Sequence, residues 1–160
     1  MNSILSKVFD VFVIGGGING CGVARDASGR GYSVYLSEKN DIASGTSSAS
    51  SKLIHGGLRY LENYEFSFVK KALKERDTLI SIAPHIVKEA RFILPYHKGL
   101  RPVWILKLGM MIYDNLYSSK FIKHSNSINI KSHATQTTLL ESYSKGFEYS
   151  DCIADDSRLT

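Results

Sequence analysis

The first apolar block of the chain, Val8 to Ile14, is short, rich in β-branched side chains and stopped by a cluster of glycines. That pattern predicts a strand buried on both faces. From Ile18 to about Arg30 the small residues Gly20, Ala24 and Ala27 share one face of a predicted helix that can press close to a sheet, and Gly29 and Gly31 supply its stop. "YSVYLSE", from Tyr32 to Glu38, predicts a second strand. Together these make one βαβ unit, with parallel strands and a right-handed crossover.

Further along, residues 65–83 place Phe66, Val69, Leu73, Ile80 and Ala83 on one stripe with Lys and Glu opposite, an amphipathic helix ended by Pro84. "ARFILP" reads as a strand closed by Pro95, and "HKGLRP" as a turn. Residues 103–117 are apolar nearly all round, too few to cross a bilayer and interrupted by Lys107, so a buried helix is the first reading and a membrane-surface helix the second. Residues 118–138 are polar with weak periodicity and read as a long connector; "GFEYSDC" reads as a last strand. "DDSRLT" offers Asp155 or Asp156 as the cap of a helix of which only the first turn follows, so a chain cut from a longer one is expected.

A length of 160 residues with 43% hydrophobic and 22% charged positions is that of an ordinary globular protein of about one domain, and excludes a disordered chain. The net charge of +5 is scattered rather than gathered, which argues against nucleic acid as a partner and leaves anionic substrates or an anionic membrane face open. Cys21 and Cys152 form no CxxC pair, so reduced thiols in the cytoplasm are expected rather than a zinc site or disulfide framework. His85, His97, His124 and His133 lack the spacing of a metal site, and none is expected. Asp151, Asp155 and Asp156 are read as capping and solvated residues, and Trp104, Met110 and Met111 as core.

Two stretches carry chemistry. Gly15, Gly17 and Gly20 stand in G-x-G-x-x-G spacing between the first strand and the helix. Gly15 allows the tight turn, Gly17 lets a pyrophosphate approach the backbone, and Gly20 lets helix and strand pack closely. The helix amino terminus then offers N–H groups and a positive dipole end to phosphate. Glu38, eighteen positions beyond Gly20, ends the second strand, where a carboxylate accepts the hydroxyls of an adenosine ribose and disfavours a 2′-phosphate. The second stretch, "GTSSASSKLIHGGLRY" at 45–60, groups five hydroxyl side chains before His-Gly-Gly. Such a segment can lie along an extended dinucleotide and bring backbone close to a flat ring, which favours FAD over NAD; a serine-rich flexible loop is the plain alternative.

The strings "VIGGGINGCGVARDASGRG", "TSSASSKLIHGGLRYLE", "ALKERDTLISIAPH", "KGLRPVW" and "GFEYSDC" resemble the FAD-dependent glycerol-3-phosphate dehydrogenases, over essentially the whole chain but only their amino-terminal part. The resemblance implies an α/β fold: an incomplete, Rossmann-like βαβ FAD-binding domain of glutathione-reductase type, with the start of an α+β substrate or cap domain. It implies the amino-terminal part of the FAD-binding domain over 1–83, a partial substrate or cap region over 84–146, and the start of a return segment over 147–160. The implied reaction oxidises sn-glycerol 3-phosphate to dihydroxyacetone phosphate with electrons passed to quinone. An oxygen-using glycerol-3-phosphate oxidase, an amine-oxidising relative and a non-enzymatic remnant are the alternatives.

By position, Gly15, Gly17, Gly20 and Glu38 resemble the contacts to the ADP half of FAD. Thr46, Ser47, Ser50, Ser51 and Lys52 resemble the segment beside pyrophosphate and flavin; His55, Gly56 and Gly57 the piece beneath the isoalloxazine ring; and Arg59 with Tyr60 a substrate-side pair. His55 either assists proton transfer or simply hydrogen-bonds backbone or flavin. The family also implies a peripheral place on the inner face of the cytoplasmic membrane, with membrane contact made through parts not in this sequence, and a homodimer. The chain alone is expected to bind FAD weakly or not at all.

Overall fold

A computed structural model describes residues 7–132, 143–154 and 159–160. His133, Asp155, Asp156 and the expected connector residues 133–138 lie outside the described residues. The chain divides into two compact units, one formed by residues up to Lys52 and the other by Leu53–Ala154.

The first unit is the expected βαβ. Strand β1 (Val11–Ile14) pairs in parallel with β2 (Val34–Ser37), and helix α1 (Ile18–Gly29) connects them. Val13 is buried, whereas Phe12 is 60% and Ile14 84% exposed. Two strands and one helix thus cover only one face of the ribbon, the other keeping Phe12 stacked on Tyr35 at 5.3 Å.

The second unit is an antiparallel sheet backed by two helices. Strand β6 (Lys145–Ala154) is its centre: β4 (Val87–Pro95) pairs along its whole length, while β3 (Leu53–Ile54) and β5 (Asn126–Asn129) share its other edge, one at each end. Helices α2 (Phe66–Ile82) and α3 (Val103–Leu116) meet through Val69, Leu73 and Tyr113, with Leu58, Leu61, Leu116 and Tyr117 packed around them. A 3₁₀ helix, Leu58–Asn63, leads into α2.

Four expectations need correction. Helix α3 is not buried all round: Met110 and Tyr113 face the core, but Trp104 is 67% and Met111 56% exposed, so neither belongs to the core. A helix that meets the rest of its unit on one side covers only that side, however apolar its remainder. The polar stretch after residue 118 contains β5 and then a 3₁₀ turn at Ile130–Ser132, with Ile130 fully buried. Edge pairing gives an unlikely sequence such as "NSIN" its strand, because the ladder bonds come from the backbone. The stripe of α2 does not skip from Leu73 to Ile80; Arg76 and Asp77 are buried on it. Finally, Asp151 is not a solvated residue but a buried one.

Candidate functional site

In the first unit the glycine turn is built as its spacing requires. Gly15 adopts φ +106°, a conformation that side chains rarely tolerate. A Cβ on Gly20 would lie 1.9 Å from the Gly15 carbonyl oxygen, so only glycine lets α1 start this close to the turn. Gly17 is the N-cap of α1 and carries no cap of its own. Ser47 supplies it: the N–H of Ile18 donates to Ser47 Oγ, twenty-nine positions on, at 3.0 Å.

Residues 38–48 fold back over this turn. Glu38 accepts from the Gly16 N–H through Oε2 (2.6 Å) and from the Asn40 N–H through Oε1 (3.0 Å). These bonds, Gly16's first, hold its carboxyl below the ordinary glutamate value. The N–H of Ala43 donates to the Gly16 carbonyl at 2.9 Å from a residue that is buried at φ +61°, a conformation costing an alanine roughly 1–2 kcal/mol. Ser48 Oγ donates to the Ala43 carbonyl, closing the loop. Ser48 was not among the residues expected from sequence, where its hydroxyl looks like its neighbours'. Thr46, Ser50, Ser51 and Lys52 are exposed, and Ser50 Oγ accepts from the Lys52 N–H at 3.1 Å.

The donor set suits the ADP half of a dinucleotide. A carboxylate has about four acceptor positions, so Glu38 keeps capacity for ribose hydroxyls beyond its two backbone bonds. The Ser47 hydroxyl on the helix N–H occupies the kind of position that a phosphate oxygen takes.

In the second unit His55, Gly57, Arg59 and Tyr60 line one cavity of about 560 Å³, together with Phe92, Tyr149 and Asp151 from the sheet. Gly57, at φ +76°, starts the 3₁₀ helix, and the Tyr60 N–H donates to its carbonyl at 2.9 Å. That tight turn swings Arg59 and Tyr60 to the same cavity as His55. Tyr60 rests edge-on against Phe68 at 5.0 Å. Burial first, then the Asp151 charge, raise the phenol of Tyr149 above its ordinary value.

Sequence reasoning passed over what lies behind Gly56. Arg76 Nη1 donates to Asp151 Oδ1 at 2.7 Å, Tyr113 Oη donates to the same oxygen at 2.9 Å, and the Gly56 N–H donates to Tyr113 Oη at 2.9 Å. The signal for Arg76 and Asp77 was present, since three and four positions after Leu73 fall on the buried face of a helix. Asp151 had no such signal.

The sequence model of the family described as FAD dependent oxidoreductase matches residues 10–160. A glycerol-3-phosphate dehydrogenase of Pseudomonas tolaasii is 56% identical over 155 residues, covering 97% of this chain and 30% of the relative. A D-erythritol 1-phosphate dehydrogenase of Brucella abortus is 55% identical over 150 residues, covering 94% of this chain and 30% of the relative. The crystal structure of a Bacillus halodurans glycerol-3-phosphate dehydrogenase complexed with FAD superposes with a TM-score of 0.63 at 32% identity, over 96% of this chain and 23% of that one. The chain thus spans about 30% of the length of the curated relatives it matches. On the family match, the glycine turn and the shared fold, this chain belongs to the FAD dependent oxidoreductase family.

Proposed function

We propose that this chain is the amino-terminal, flavin-holding part of an FAD-dependent sn-glycerol-3-phosphate dehydrogenase. The observation that carries the reading is the Glu38–Gly16–Ser47 arrangement at the amino terminus of α1, joined to 56% identity with an enzyme of that name. Gly15, Gly17, Gly20 and Glu38 hold the ADP half, with Thr46, Ser47, Ser50, Ser51 and Lys52 serving the pyrophosphate side. His55, Gly56 and Gly57 serve the ring. Residues 1–83 belong to the FAD domain, 84–146 to a substrate or cap region, and 147–160 to a return segment.

Bound FAD supplies a two-electron acceptor for the hydride that leaves C2 of the substrate. The chain's own residues do the rest. Arg59, a permanent cation at the cavity, binds the substrate phosphate, with Tyr60 beside it. His55 accepts the proton of the C2 hydroxyl, so that loss of one hydride and one proton leaves the ketone of dihydroxyacetone phosphate. Quinone is the proposed final acceptor, reached by a homodimer resting on the inner face of the cytoplasmic membrane. Among the described residues no helix is long and apolar enough to cross a membrane.

A second substrate has nearly equal support, because the D-erythritol 1-phosphate dehydrogenase is 55% identical. Both are phosphates of short polyols, and the same cation and base serve either. The test is a chimera in which residues 1–160 replace the matching segment of the Pseudomonas tolaasii enzyme. Flavin absorbance with dye reduction by glycerol 3-phosphate supports the proposal, and preference for D-erythritol 1-phosphate moves it to the second substrate. A folded chimera without flavin sinks both.

A further inference from the structure

Gly56 is gripped from behind by three buried side chains, each from a different element: Arg76 of α2, Tyr113 of α3 and Asp151 of β6, with exposures of 3%, 3% and 4%. Their proton arrangement has one solution. A guanidinium only donates and a carboxylate only accepts, so the Tyr113 hydroxyl donates to Asp151 and accepts from the Gly56 N–H at 2.9 Å, an N–H that is shared with Asp151 Oδ1 at 3.3 Å. Burial first, then the Asp151 charge, push the Tyr113 phenol far up, which keeps that proton in place. Burial pulls Arg76 down most strongly of any single influence, but the Asp151 hydrogen bond together with the surrounding charges, Asp77 among them, outweighs it and the guanidinium stays charged.

Gly56 has no room for a side chain. A Cβ there would lie 2.2 Å from Leu73 Cδ2 and 2.5 Å from Tyr113 Oη. The backbone therefore rests directly on the network, with nothing flexible between. One residue later comes Gly57, whose carbonyl anchors the turn that carries Arg59 and Tyr60; one residue earlier comes His55.

We propose that Arg76, Tyr113 and Asp151 are positioning residues for the reaction. They fix the backbone at Gly56 and Gly57 and, through it, the placement of His55, Arg59 and Tyr60 around the cavity. None is the base: Asp151 lines the cavity wall, but its Oδ1 accepts from Arg76, Tyr113 and the Gly56 N–H, and its Oδ2 lies 3.1 Å from the Tyr113 hydroxyl. The proposal rests on the reading of the cavity given above, and its test separates the two.

Tyr113→Phe keeps the ring and removes the hydroxyl, and Asp151→Asn keeps the shape and removes the charge. Both are made in this chain, where Gly56 amide exchange is followed, and in the chimera, where kcat, KM and flavin absorbance are measured. Loss of one hydrogen bond should speed Gly56 exchange in Tyr113→Phe by about tenfold while the amides of α1 are unchanged. In the chimera, kcat should fall on the order of 10- to 100-fold with flavin still bound and KM nearly constant. If Asp151→Asn fails to fold, Tyr113→Phe decides alone. Unchanged Gly56 exchange, or a kcat loss that matches the lost flavin-loaded fraction, overturns the positioning role even in a fully active parent. An unsubstituted chimera without flavin overturns the functional reading and the catalytic half of this proposal, whereas the exchange result still decides whether the network holds Gly56.

Discussion

Gly17 of the first unit and Gly56 of the second sit in opposite surroundings, whereas Gly20 is packed as closely as Gly56. At the Gly15–Gly20 turn a Cβ on Gly15 meets nothing within 4 Å and one on Gly17 meets only the Ser47 hydroxyl, at 3.3 Å. At Gly56 the space is already filled by Leu73 and Tyr113 of the same unit. The first leaves backbone open at a turn, and the second is a packing contact behind the proposed positioning network. The first is fastened by short backbone-led bonds at the surface, the second by a buried ion pair.

The contrast is broken most directly by removing the pair. Asp151→Ala leaves buried Arg76 with only the longer 3.6 Å pairing to Asp77 in place of its 2.7 Å bond, and should cost about 3–5 kcal/mol in urea unfolding, far more than any change at the glycine turn. A loss below 1 kcal/mol would mean that the network is idle. Gly56→Ala comes next, at about 1–3 kcal/mol from overpacking. Its counterpart Gly22→Ala, within α1 and with open space around its Cβ, should stabilise by about 0.5–1 kcal/mol, so opposite signs are expected in the same unfolding assay.

How far these features were legible follows from how local they are. Gly15, Gly17, Gly20 and Glu38 lie within one βαβ unit, whose spacing is set by strand and helix geometry, so chain order alone places them. Helices α2 and α3 announce themselves by composition, although Trp104 and Met111 show that an apolar residue need not find a partner. Asp151 reaches Arg76 across 75 positions and Gly56 across 95, and no periodicity spans such gaps. The arginine and aspartate on the buried stripe of α2 were the one visible hint of a buried polar network, and since they pair with each other at 3.6 Å they did not point to Asp151. Ser47 was expected at the pyrophosphate; its role as the cap of α1 depends on how residues 38–48 fold back, which no pattern in the segment encodes.

Smaller effects sharpen the surface half of the comparison. Ser47→Ala removes the hydroxyl that caps α1 and should cost about 1 kcal/mol, read as a lowered melting temperature. Glu38 gives the smallest effect and the most specific. Its folded pKa lies below the unfolded one, so its contribution is present above the unfolded value and is lost as pH falls through the folded value. The Gly16 amide resonance should therefore titrate in the acid range, below the ordinary glutamate midpoint, and stay flat in Glu38→Gln. A Gly16 shift centred near neutrality would show that some other group controls the turn.

Strand β6 has a consequence for the order of events during synthesis. Three earlier strands pair with it, yet it is made after all of them. The βαβ unit can close as soon as Glu38 leaves the ribosome, whereas β3 must wait for a partner some hundred residues downstream, about 5–20 s at ordinary elongation rates. In that interval β4 and β5 trail from the nascent chain with unpaired edges, and this is when a chaperone has most to protect.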